Sequence, residues 1–253
     1  MKISKKYKRR LRKQKRNILG ELIGDGISIF TACKDREDNL FLSLESWVQC
    51  SDIEEIIVVD WNSKKKLRYD HPRVKIARVD DEKWSQTKSF NLSSRLCSKK
   101  NICKLDADYI LEKDFFNFHP LDKNKFYCGN WELARTENEK HLNGFLYVDR
   151  KSFMKVNGYN ERLIKYGFDD TDIMNRLLSL KMEILDINLD KIKHTQHSNK
   201  SRTKPYGQKE SVEKSIEHNE KFCEEEPWRR DDKMCEFHIE KDKDNYYVCK
   251  RIS

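Results

Sequence analysis

Proline and glycine are scarce in this chain. Four Pro and eight Gly among 253 residues exclude a linker-rich array, and no internal repeat points to a solenoid. After the basic start no apolar stretch reaches even ten residues, so neither a secretory leader nor a membrane span is expected. The eight Cys (Cys33, Cys50, Cys97, Cys103, Cys128, Cys223, Cys235, Cys249) form no C-x-x-C pair and no zinc-ligand spacing. Without a sign of an oxidising compartment they are expected to stay reduced and to serve mostly as small core residues. The expected setting is cytoplasmic, with at most peripheral membrane contact.

Acidic residues are missing from one place only. Residues 1–16 hold ten of the 52 Lys and Arg residues and no acid, which leaves 42 bases against 43 acids elsewhere. The net charge of +9 therefore belongs to a short arm, taken as residues 1–20. Such an arm is a solvated extension that suits an anionic membrane surface or RNA. The near-neutral remainder argues against a nucleic-acid-binding body.

Apolar runs of strand and helix period follow in alternation. Residues 26–32, 55–60, 74–79 and 102–105 read as strands, and residues 39–48 and 89–97 as helices. The unbroken Ile56-Ile57-Val58-Val59 run predicts burial on both faces, hence a parallel strand. This order predicts an α/β fold with a mostly parallel open sheet flanked by helices. Further on, residues 144–148 and 182–187 read as strands, and residues 151–156 and the segment from Ile173 as helices. Residues 21–200 are taken as the main domain and residues 201–253 as an extension packed on it, ending in a strand at 246–248.

Ligands of open α/β sheets bind beyond the carboxyl ends of the strands. That rule places the loops from Thr31 to Arg36, Asp60 to Ser63, and Asp106 to Asp108 on one rim. Asp106-Ala107-Asp108 can present two carboxylates to one hard divalent cation, which would bridge the phosphates of a nucleotide; the bland reading is a solvated turn. His194 and His197 can complete such a site or be ordinary surface residues. Asp169, Asp170 and Asp172 suit a helix N-terminus, and Asp169 with Asp172 has the spacing of a capping pair. A single cap needs one acid, however, and this cluster follows Tyr166-Gly167-Phe168. An aromatic ring beside carboxylates can stack on a sugar while the acids accept its hydroxyl protons.

These pieces resemble family-2 glycosyltransferases and the related β-1,4-galactosyltransferases. Residues 27–36 (ISIFTACKDR) resemble the opening strand and loop of that GT-A fold, and residues 55–63 (EIIVVDWNS) its second strand. Trp84 to Asn91 and Lys104 to Asp108 lie where the family has a donor-contacting helix and its D-x-D. Residues 143–178 resemble the galactosyltransferase carboxyl-terminal motif, with Asp169 in place of the usual Glu and Tyr166 in place of a common Trp. The resemblance implies a GT-A catalytic domain with a Rossmann-like nucleotide half and an acceptor half. It also implies an inverting transfer from a nucleotide sugar, most simply UDP-linked, to a hydroxyl of a glycan or glycoconjugate. On that register Asp170 is the catalytic base, and Asp169 and Tyr166 bind the acceptor. Thr31, Arg36, Asp60, Lys88, Asn91 and Asp106 contact the donor. Asp108, His194, His197 and Asp106 are the candidate ligands of Mn2+ or Mg2+. A non-catalytic nucleotide or carbohydrate binder on the same fold would keep Asp60 and the aromatics without turning over donor.

Overall fold

A computed structural model of the chain describes residues 15–196, 204–207 and 211–252. Among the described residues nine strands form one sheet in the order β10-β11-β3-β2-β1-β4-β7-β6-β8, numbered along the chain. The first four strands are β1 (Gly24–Cys33), β2 (Ile53–Trp61), β3 (Val74–Val79) and β4 (Lys99–Lys104). They pair in parallel, with β2 on one side of β1 and β4 on the other. The order in which strands are added thus reverses at β1, and the connections from its two neighbours run to opposite sides. A crevice opens there.

Burial on both faces explains the apolar runs. Ile29, Ile56, Val58 and Ile76 face a cluster that contains Leu40, Leu44 and Trp47 of α1 (Glu37–Trp47). Phe30, Ile57, Val59 and Ala77 face the opposite cluster, with Phe90, Leu92 and Leu96 of α2 (Gln86–Leu96). Each fully buried side chain of this size contributes about 1.5–3 kcal/mol through removal from water. Seven of the eight Cys are buried and all are free thiols, most of them packed in these two clusters.

The second half of the sheet is antiparallel at its joins. β6 (Lys125–Cys128) and β7 (Leu146–Asp149) extend it beyond β4, and β8 (Glu183–Asp186) pairs parallel with β6. A 3-10 turn over Glu139–Gly144 precedes β7, so the strand expected from residue 144 begins two residues later. The helices here are α3 (Arg150–Lys155) and α4 (Asp169–Ser179). A separate ribbon pairs β5 (Tyr109–Leu111) with β9 (Ile192–His194), which brings His194 opposite Tyr109.

Both ends of the described chain pack into the fold. Arg16 bridges Leu22, and buried Asn17 donates to the Leu96 carbonyl at 2.6 Å while accepting from the Leu19 and Glu21 amides. Folded structure therefore begins before residue 20; the rest of the basic arm, with its expected membrane or RNA contacts, lies outside the described residues. After α5 (Val212–Glu225), β10 (Phe237–Lys243) and β11 (Tyr246–Arg251) enter the main sheet. β11 pairs parallel with β3 and satisfies the edge that β3 would otherwise leave open. Among the described residues no helix is long and apolar enough to cross a membrane.

Candidate active site

A cleft of about 200 Å³ opens at the carboxyl edges of β1 and β4. Its walls come from residues 32–36, the start of α2, Asp106 to Asp108, the 3-10 turn before β7, residues 166–171 and β9. Three groups of side chains face one another across it.

The first group is Asp108 with His194. Both are buried, and His194 Nε2 lies 3.7 Å from Asp108 Oδ2. The Thr195 amide donates to the Asp108 carbonyl at 2.8 Å, which locks the loop after β4 to the end of β9. Asn138 sets the ring. Its Nδ2 donates to the His194 carbonyl at 2.7 Å, so its Oδ1, 2.8 Å from Nδ1, is the acceptor of an Nδ1–H. Nε2 is left facing the Asp108 carboxylate, an arrangement that suits a cation between them. Arg36 donates to the same carboxylate at 2.6 Å, and the His141 ring centroid stands 5.1 Å from that of His194. Among the described residues no three His, Cys, Asp or Glu side chains gather as a metal site. His197, the other imidazole expected to bind metal, lies outside the described residues.

The second group is a carboxylate cluster around Lys104. This side chain is fully buried, with Nζ 2.9 Å from Asp106 Oδ1 and 3.2 Å from Asp170 Oδ1. Burial alone would lower the lysine pKa, but Asp106, Asp170 and Asp169 outweigh it and keep the ammonium charged. Burial pushes the carboxyls of Asp170 and Asp169 above the ordinary range. Lys104 pulls both down, yet a single cation serves three acids, and their mutual repulsion adds to burial. Asp106 turns to this cluster rather than toward His194.

The acids on α4 do not act as caps. The N-cap is Phe168, whose φ of 68° is left-handed and uncommon for a large residue, and it makes no side-chain cap bond. Gly167 before it has φ 90°, and a Cβ there would lie 2.6 Å from the Ile216 side chain. This turn aims Asp169 and Asp170 into the cleft. Asp172 instead pairs with Arg176 at 2.6 Å, and Arg176 donates to the Val156 and Gly158 carbonyls.

The third group is an aromatic wall. Tyr166 and Tyr206 meet edge to face at 6.1 Å, and Tyr206 meets Trp84 in the same way at 6.4 Å. The Tyr206 hydroxyl donates to Gln86 Oε1 at 2.6 Å, and Gln86 Nε2 lies 3.4 Å from Asp169 Oδ2. Cys33 also lines the cleft, but burial pushes its thiol up to about 12, which keeps it neutral and poorly nucleophilic.

Arg36, Asp106, Asp108, Tyr166, Asp169, Asp170 and His194 are thus brought together. Thr31, Asp60, Lys88 and Asn91 are not on the cleft wall. Asp60 sits opposite Arg78 in the β2–β3 register and binds it at 2.8 Å, while its oxygens also accept from the Ser63 and Leu67 amides. Thr31 is buried in β1, where no described residue bonds its hydroxyl. Asn91 is buried and spends its amide on the Tyr159 backbone and Glu161. Helix α2 starts at Gln86 rather than Ser89, with Ser85 as N-cap. Trp84 and Gln86, at this start, line the cleft, while Asn91 farther along the helix faces the core. The Ser85 cap signal was readable in the sequence; Tyr206 and His141 carried no local signal.

A family model described as the N-terminal domain of galactosyltransferase matches residues 126–198. No curated protein matches in sequence. In structure the chain is similar to the catalytic domain of Drosophila β1,4-galactosyltransferase 7 in complex with xylobiose, with TM-score 0.57 and 14% identity over 90% of this chain and 93% of that one. A mutant of that enzyme, in complex with manganese, UDP-Gal and xylobiose, gives TM-score 0.58 at 13% identity, with the same coverage. A mannosyltransferase of Pyrobaculum calidifontis, in complex with GDP-Man and Mn2+, gives TM-score 0.51 at 11% identity over 63% of this chain and 54% of that one. The shared architecture is the GT-A glycosyltransferase fold. With the matched galactosyltransferase segment, it supports a glycosyltransferase.

Proposed function

We propose that the chain is a metal-dependent, inverting glycosyltransferase that moves a sugar from a nucleoside diphosphate to a hydroxyl of a glycan or glycoconjugate. The observation that carries this reading is the juxtaposition, in one cleft at the β1–β4 switch point, of a carboxylate–imidazole pair, a clustered carboxylate base and an aromatic wall. Asp108 and His194 form a donor pair suited to Mn2+ or Mg2+. A cation bound there supplies charge to the departing diphosphate. Asp170 takes the proton of the acceptor hydroxyl, and Asp169 and Tyr166 hold the acceptor sugar by hydrogen bonds and ring stacking. Uridine is the proposed base of the donor because the neighbour matched over nearly its whole length is the one solved with UDP-Gal.

A screen of nucleotide sugars with and without manganese tests the reading. The true donor raises Tm by mass action and is slowly hydrolysed only with the metal. A donor that stabilises the fold but is never turned over, with any acceptor, would make the protein a binder instead.

The Asn138 pair with His194 gives a separate prediction. Asn138→Ala frees the imidazole to rotate or to change tautomer, and manganese affinity measured calorimetrically with UDP present falls about 10–100-fold. An unchanged affinity would remove His194 from the metal site.

A further inference from the structure

Lys104 is a cation where the pattern of β4 calls for an apolar residue. Burying an ammonium costs several kcal/mol unless it is fully paired, and this one is. It donates to the Gly144 carbonyl at 2.7 Å, and its other two partners are Asp106 and Asp170. The Phe90 ring stands 4.7 Å from Nζ. Gly144 leaves the space that this cluster fills. A Cβ at that position would lie 2.7 Å from Asp106 Oδ2, 2.8 Å from Lys104 Nζ and 3.1 Å from Asp170 Oδ2.

The two oxygens of Asp170 are treated differently. Oδ1 receives Lys104 and, at 3.3 Å, the Tyr159 hydroxyl. No hydrogen bond among the described residues is made to Oδ2, and Asp170 lines the cleft. Donors confined to one oxygen fix the plane of a carboxylate and leave the other oxygen to accept. A cation placed merely to neutralise the cluster would not need this asymmetry.

We propose that Lys104 is a positioning residue for transfer, holding Asp170 by Oδ1 so that Oδ2 meets the acceptor hydroxyl. The proposal rests on Asp170 being the base. In the step it serves, the acceptor oxygen bonds to the anomeric carbon as its proton passes to Oδ2. The bond from that carbon to the diphosphate oxygen breaks, and the electron pair leaves with the nucleotide. Misplacing a reacting group by about 1 Å costs on the order of 100-fold in rate.

Lys104→Met removes the donor at similar volume and is read by melting, by calorimetry with UDP and manganese, and by kcat and donor KM. The expected result is a folded protein with UDP binding and donor KM unchanged and kcat lowered about 100-fold. In an Asp170→Asn background the same change has no further effect, because residues that act as a unit are not additive. Unchanged kcat, an equal loss in both backgrounds, or loss of UDP binding would each overturn the proposal. If Lys104→Met does not fold, Gly144→Ala decides: its methyl enters the same cluster, and it must lower kcat while sparing UDP binding. A wild-type protein that turns over no nucleotide sugar removes the glycosyltransferase reading and this inference together. Turnover that both variants leave intact removes the inference alone.

Discussion

Asp170→Asn lowers kcat by roughly 10²–10⁴-fold, the span that general-base catalysis covers, while the protein still binds UDP and manganese. The amide is nearly isosteric with the carboxylate, so the cleft keeps its shape. It cannot take a proton from the acceptor. Donor binding survives because the expected phosphate and metal contacts come from Asp108 and His194 rather than from Asp170. Calorimetry with UDP and manganese, alongside steady-state kinetics, separates the two effects. A loss of donor binding equal to the loss of rate would mean that Asp170 holds the donor rather than the acceptor proton.

The same residue sets a pH dependence. A base works only when ionised, and burial with two neighbouring acids raises the Asp170 pKa. The acidic limb of kcat/KM therefore lies above the ordinary carboxylate value of about 4. Activity is present above the raised pKa and lost as pH falls through it. A limb at the ordinary value would show that Lys104 fully offsets burial and repulsion.

Asp108→Ala is the second large loss. The carboxylate is the anionic member of the candidate metal pair, and a bound cation stabilises the departing diphosphate by several kcal/mol. At about 1.4 kcal/mol per decade, turnover falls by roughly 10³-fold, and manganese no longer raises UDP affinity. Manganese titration of the protein with UDP, followed by electron paramagnetic resonance, reads the site without relying on activity. The change also releases Arg36 from its ion pair at 2.6 Å. Arg36→Ala is therefore the control, and it leaves manganese binding in place. Retained manganese binding in Asp108→Ala would move the metal elsewhere.

Local pattern carried much of the architecture. The double-faced apolar runs of β1 and β2 came with their parallel pairing, because a strand buried on both sides has no polar face to show. The acids at 106–108 could be located because they follow a buried strand on the binding rim, and those at 169–172 because they open a helix in a number that capping does not require. The aromatic-glycine approach at 166–168 was equally visible, although its left-handed Phe168 was not.

What each polar group does with its direction was decided only by the tertiary structure. Asp60 ends its strand in the expected place, yet Arg78 faces it from β3 and takes its carboxylate. Asn91 lies on the inner face of α2, where the Tyr159 backbone and Glu161 take its amide. Lys104 joins acids 2 and 66 residues away, and no sequence window contains that set. The strand expected at 246–248 forms as β11, but its place beside β3, 170 residues earlier in the chain, is a tertiary choice. Sequence period fixes which face a side chain leaves from; the partner it finds there depends on elements that meet only when the chain is folded.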